Sequence, residues 1–163
     1  MNFLEKDLEQ IIYESDRELL EKKGLYIGGK LLRQVRIGNY GVADLVSVSR
    51  DVEVNYNCTR LIPYLEITVY ELKKDKIGIS AFLQALGYVK GISDYFERRN
   101  INRNVRYNIV LIGSSLDTNS SYAYLSDFVC SDRLSLVNYV YSYDINGIKF
   151  KSKEGYSLKD KGF

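Results

Sequence analysis

Asp44, Glu71 and Lys73 stand where strands ordinarily carry apolar groups, and they are the residues of this 163-residue chain best suited to do chemistry. The run Tyr64 to Lys73 is rich in β-branched and aromatic residues with period two, and reads as a strand. Along it Leu65, Ile67, Val69, Glu71 and Lys73 share a face, so a carboxylate and an ammonium prolong an apolar row. A charge without a partner is costly to desolvate there and ordinarily changes protonation state instead. Upstream, Gly41 to Val46 reads as another strand, with Val42, Asp44, Val46 and Val48 on one face and Ala43 and Leu45 on the other. Two carboxylates so placed could hold a divalent metal ion through oxygen ligands. Two plainer readings compete: a solvated Glu-x-Lys pair worth at most about 1 kcal/mol, and an aspartate at a strand edge or end.

Composition narrows the chemistry. There is no histidine, and Cys58 and Cys130 lie 72 positions apart, which excludes a His-dependent triad or zinc site and leaves no cysteine cluster for a metal. Reduced thiols in a cytoplasmic protein are the simplest reading. The start of the chain is acidic and amphipathic, and no apolar run approaches membrane-spanning length, so neither a signal peptide nor a membrane partner is expected. A net charge of +2 says little, but its distribution is uneven. Residues 1 to 21 carry seven acids against two bases, whereas residues 73 to 106 carry eight bases against three acids. The second segment could supply phosphate contacts, or be a solvated helix face.

The elements that must position these groups follow from periodicity. Phe3 to about Lys23 reads as one helix with Leu4, Leu8, Ile11, Ile12 and Leu19 on a stripe. Glu5 lies about 65° from the stripe's centre and could reach toward the sheet, with Glu9 farther out as the reserve; an ordinary acid near a helix N-terminus is an equally good account of Glu5. Leu31 to Ile37 reads as a strand, where Arg33 or Arg36 could touch a phosphate or simply face solvent, and Gly38 to Gly41 turns the chain into the Asp44 strand. Asp51 to Thr59 reads as a projecting loop or small hairpin. A second helix is expected from about Ile79 to Arg98, with Gln84, Tyr88 and Tyr95 bordering its buried stripe. Tyr107 to Gly113 reads as a central strand parallel to the Glu71 strand. Then come a short helix over Tyr122 to Val129 capped by Asn119, Ser120 or Ser121, a strand over Leu134 to Tyr143, a turn at Asn146-Gly147 and a polar tail from Ser152. Together these predict a mixed sheet of about four to six strands flanked by helices.

Asp44 on one strand, Glu71-Leu72-Lys73 at the end of the next, an acidic helix before them and Gln84 to Tyr88 on a helix after them resemble the PD-(D/E)XK nuclease superfamily. Within it the pattern is most similar to the catalytic domain of the prokaryotic mismatch-specific endonucleases, over roughly residues 1 to 112. Val42-Ala43 stand where the family's name expects a proline, and the interval from Asp44 to Glu71 is long; neither departure removes a reactive group. The resemblance implies an α/β, restriction-endonuclease-like fold with a mixed central sheet flanked by helices. It implies one domain over 1–163, with a core of about 1–115, an extension over 116–151 and a frayed tail over 152–163. It further implies Mg²⁺ or Mn²⁺ held by Asp44 and Glu71, with the Leu72 carbonyl and Glu5 completing the site. Lys73 and Gln84 would share the catalytic work, and Lys74, Lys76, Tyr88 and Arg33 would touch nucleic acid. The substrate would be DNA, with RNA left open, and a homodimer is compatible with the pattern. The alternative is a catalytically silent nuclease-fold protein that binds nucleic acid or a protein partner.

Overall fold

A computed structural model describes residues 4–101, 103–117 and 120–153. The acidic first segment forms two helices, α1 (Glu5–Glu14) and α2 (Arg17–Lys22), where periodicity predicts one. The break lies at Ser15 and Asp16. Ser15 is extended, with ψ 147°, and the Asp16 carboxylate accepts from the backbone N–H groups of Glu18 and Leu19, which caps a new helix. Phe3 lies outside the described residues.

The strands are β1 (Lys30–Arg36), β2 (Val42–Asn55), β3 (Arg60–Leu72), β4 (Lys76–Ile77), β5 (Val105–Gly113), β6 (Ser115–Leu116), β7 (Leu134–Asp144) and β8 (Gly147–Lys153), with helix α3 (Ile79–Arg98) before β5 and α4 (Ser120–Val129) before β7. Six of them build one sheet in the order β1-β2-β3-β5-β7-β8, while β4 and β6 form a small parallel pair. β1, β2 and β3 run antiparallel, β3, β5 and β7 parallel, and β8 returns antiparallel to β7. This is the mixed α/β architecture that the sequence leads one to expect. α3 is the crossover that makes β3 and β5 parallel, and it starts and stops where its apolar stripe does.

Local readings are refined at three places. Asp51 to Asn55 continues β2 and pairs with β3 as far as Arg60, so the polar stretch is the end of one long two-stranded arm. Ser152 and Lys153 pair with Tyr139 and Asn138, so the last strand runs into the expected tail, whose residues 154–163 lie outside the described ones. Asn119, one of the three suggested caps of α4, also lies outside them; α4 itself begins at Ser120.

The sheet separates two cores. On one face Leu8, Ile12 and Leu20 of α1 and α2 pack with Leu45, Tyr70, Leu72 and Ile112. On the other, Phe82, Ala85 and Val89 of α3 pack with Ala43, Val46, Val69 and Leu111. Phe82 is fully buried, and its burial contributes about 2–3 kcal/mol. Ala43 and Leu45 thus enter opposite cores, although strict alternation would put them on one face. The reason is a kink. Gln34 has φ +50°, and the β1–β2 ladder passes from Arg33–Leu45 to Val35–Ala43 without pairing Gln34 with Asp44. Asp44 occupies the break.

Candidate active site

Strand register brings the two carboxylates together. The β2–β3 ladder ends at the Leu45–Tyr70 pair, and Asp44 and Glu71 are the next residue on each strand beyond it, close enough for the Asp44 charge to act on the Glu71 carboxyl. They lie at the C-terminal end of β3, the end of a parallel segment at which open α/β sheets bind ligands. The backbone N–H of Leu72 donates to Asp44 Oδ2 at 2.9 Å, which fixes that carboxylate against the end of β3. Lys73, one residue past the strand, is anchored by its own N–H to the Ile112 carbonyl at 2.8 Å.

Glu71 is the unusual group. Its side chain is 2 % exposed; Oε1 accepts from Lys73 Nζ at 2.8 Å, while Oε2 is buried with no hydrogen-bond partner among the described residues. An unsatisfied buried acceptor costs about 1–3 kcal/mol, more when it is charged. Burial pushes the Glu71 carboxyl up to about 7; the Lys73 hydrogen bond pulls it down, and the neighbouring Asp44 charge pushes it up again. Burial likewise raises Asp44, opposed by the Leu72 N–H and reinforced by the charges of Glu9 and Glu5. Lys73 loses to burial too, but the hydrogen bond and charge of Glu71 outweigh that and hold its ammonium above the ordinary lysine range. Lys73 is 26 % exposed and keeps part of its hydration, so one ion pair leaves the ammonium well placed and the deeper carboxylate poorly compensated.

A relay of side chains extends this pair along α3. Lys73 Nζ also donates to Gln84 Oε1 at 3.4 Å, Gln84 Nε2 donates to the Tyr88 hydroxyl at 2.8 Å, and that hydroxyl donates to the Val42 carbonyl at 2.9 Å. The ring of Tyr88 is buried against Gly41, where an added Cβ would come within 3.3 Å of it. Tyr88 therefore offers the site its hydroxyl and gives no open face for a base to stack on.

The first-helix acids separate. Glu9 is buried, and its two oxygens accept from Arg33 Nε and Gln34 Nε2. Glu5 is exposed and, among the described residues, accepts only from the Lys74 N–H, at 3.3 Å. Arg33, with Tyr13 beneath its guanidinium at 5.7 Å, serves Glu9. Lys74 is held at the site through its backbone, since its carbonyl also accepts from the Tyr141 hydroxyl at 2.7 Å. Lys76 pairs with Asp117 at 3.5 Å and joins Lys73 in lining a depression of about 230 Å³. The structure thus gathers Asp44, Glu71, Leu72, Lys73, Gln84 and Glu5, reaches Tyr88 through Gln84, and leaves Arg33 elsewhere.

Two carboxylates both raised by burial, one of them pushed further by the other's charge and left with a bare buried oxygen, suit a divalent cation: its charge would satisfy Oε2 and relieve the repulsion. Among the described residues no group of three or more His, Cys, Asp or Glu side chains is arranged to hold a metal, so backbone and water oxygens would have to complete such a site. Sequence reading missed the Glu9–Arg33–Gln34 cluster. An arginine and a glutamine on adjacent positions of an alternating strand point to opposite faces unless the backbone kinks, and nothing local announced φ +50° at Gln34.

No family model matches the chain, and no curated protein matches it. Among solved structures it is similar to the crystal structure of a repair endonuclease from Pyrococcus abyssi, at 20 % sequence identity and a TM-score of 0.46. The alignment covers 83 % of this chain and 46 % of that one, so the chain spans less than half of the protein it resembles.

Proposed function

We propose that this protein is a metal-dependent endonuclease that hydrolyses phosphodiester bonds in DNA. The observation that carries the reading is the bare Oε2 of Glu71, buried opposite Asp44 and beside the Lys73 ammonium. Asp44 and Glu71 would hold Mg²⁺ or Mn²⁺, with the Leu72 carbonyl and water molecules as further oxygen donors, and Glu5 would join only by leaving the Lys74 N–H. The bound ion would supply Lewis acidity toward a water molecule and the scissile phosphate.

The protein's own groups do the rest. Lys73, its Nζ shared between Glu71 and Gln84, presents an ammonium where an attacking water and a phosphate oxygen would meet. It can orient that water and offset charge on the phosphate. Gln84 is held by Tyr88, so its amide can position a phosphate oxygen without first being ordered. The test is incubation with single-stranded, duplex, mismatched and branched DNAs plus Mn²⁺. Cleavage of at least one, lost in Glu71→Ala, supports the proposal; no cleavage of any, with strand binding intact, leaves the silent nucleic-acid-binding reading in its place.

A further inference from the structure

We propose that the cleft between α3 and the Ile37–Tyr40 turn binds an unpaired stretch of the DNA strand on which the carboxylates act. The inference rests on the endonuclease reading for the identity of its ligand. Gln84, Tyr88, Gly91, Tyr95 and Arg98 fall at i, i+4, i+7, i+11 and i+14 of α3, which is one face of the helix. That face starts at the amide touching Lys73 and runs about 21 Å to Arg98. Its second half opens into a cleft of about 590 Å³ walled on the other side by the Ile37–Tyr40 turn. Gly91 sets its floor: a Cβ there would come within 2.6 Å of both Ile37 Cγ2 and Tyr40 Cδ2, so the turn rests directly on the helix.

The guanidiniums around this cleft are not neutralised by carboxylates, although Arg98 Nε donates to the Asp94 carbonyl at 3.4 Å. Arg36 on β1 and Arg98 and Arg99 at the end of α3 line it, and none of the three forms an ion pair among the described residues. Arg99 lies over the Tyr95 ring at 5.3 Å, and Tyr95 is 51 % exposed. The carboxylate at the rim, Asp94, is already engaged by Lys90 and by the Tyr40 hydroxyl at 2.8 Å. A helix C-terminus favours a cation and would account for Arg98 alone. It does not account for Arg36, which approaches from another element. Guanidiniums at the rim of a largely apolar cleft that holds a half-exposed tyrosine match a sugar-phosphate backbone outside and bases within. The volume lies within the 300–1,000 Å³ range of small-ligand pockets and suits one or two nucleotides. A duplex keeps its bases stacked away from Tyr95 and could offer phosphates only.

The experiment is fluorescence anisotropy with dye-labelled oligo-dT and with a duplex of equal length, without divalent metal, on Glu71→Gln protein so that nothing is cut. The expected result is tighter binding of oligo-dT than of duplex. Arg98→Ala/Arg99→Ala should lower the slope of log affinity against log salt by about 1.4, at about 0.7 per phosphate released from a single strand. Tyr95→Ala should weaken oligo-dT about tenfold with the slope unchanged and duplex binding unaffected. Thermal midpoints equal to the parent's confirm that each variant is folded. Variants that bind oligo-dT like the parent, or a Tyr95→Ala that loses duplex and oligo-dT equally, overturn the assignment. If that happens while the wild type still cleaves DNA with Mn²⁺, the cleft proposal fails and the endonuclease reading stands. If the variants lose oligo-dT binding while the wild type cuts nothing, the cleft stands as a single-strand site and the endonuclease reading fails.

Discussion

Two glutamates lie almost equally deep in this protein, Glu9 at 5 % and Glu71 at 2 % exposure, and they are treated in opposite ways. Glu9 has a donor on each oxygen, Arg33 on one and Gln34 on the other, and both donors come from the kinked stretch of β1. Glu71 has a donor on one oxygen and nothing on the second. A fully bonded buried carboxylate ties elements together, and here it fastens α1 to the kink opposite Asp44. A half-bonded one is a standing cost that the fold tolerates, which is the usual mark of a group kept ready for a ligand. The contrast fits a scaffolding role for Glu9 and, on the function proposed above, a ligand-binding one for Glu71.

Lys73→Ala should show the largest effect, a fall of roughly 10²- to 10⁴-fold in cleavage rate, because it removes a proton-handling and charge-offsetting group. Divalent-metal affinity should be unchanged or higher, since a competing positive charge leaves Glu71. Equal losses of metal affinity and rate would mean that Lys73 only shapes the carboxylate site.

The next effect is on stability and has a definite sign. The Glu71 carboxyl ordinarily titrates near 4.5, and in the folded protein near 7. Below pH 4.5 both states hold the proton and the residue contributes no pH dependence. Between the two values the unfolded chain gives it up while the folded one retains it, so metal-free stability should fall as pH rises to about 7, by roughly 3 kcal/mol at most. Glu71→Gln should abolish that fall and make the metal-free protein more stable than wild type at about pH 8. Urea denaturation in EDTA at about pH 5 and pH 8 checks it; parallel profiles for the two proteins would contradict it.

Glu9→Ala should act in the opposite sense, lowering stability by about 1–3 kcal/mol at neutral pH because Arg33 and Gln34 lose their acceptor. Chemical denaturation reads this directly. If the variant is as stable as wild type, Glu9 does not tie α1 to β1. Gln84→Ala is the smallest change: the amide touches Lys73 at the long distance of 3.4 Å, so a reduction in cleavage rate of about tenfold is expected, with stability nearly constant for this exposed side chain. A loss as large as that of Lys73→Ala would put Gln84 at the centre of the chemistry.

What could be seen beforehand was what periodicity encodes. The bounds of α3 and the parallel placement of β5 follow from apolar spacing and stand where expected, while the turn expected at Asn146-Gly147 falls one residue earlier, at Ile145-Asn146, with Gly147 opening β8 opposite Asp144. Asp44 and Glu71 stood out because each breaks an apolar pattern, and the end of the β2–β3 ladder then brings them close together. The kink was invisible, since one positive φ at Gln34 moves Ala43 and Leu45 into different cores without any glycine to signal it. So was the division of labour between Glu5 and Glu9. Helical angle ranks which acid can face the sheet, but the partner that claims it comes from a strand more than twenty residues away.

The central claim is that Asp44 and Glu71 form a divalent-cation site, and a calorimetric Mn²⁺ titration of wild type and Glu71→Gln at about pH 6 and pH 8 tests it most directly. The wild type should bind with affinity that rises between those two pH values, as the Glu71 proton leaves, and Glu71→Gln should show no site at either. Absence of Mn²⁺ binding by the wild type at the higher pH even with DNA present, or binding that survives in Glu71→Gln, would contradict it and reduce Glu71 and Lys73 to a structural ion pair.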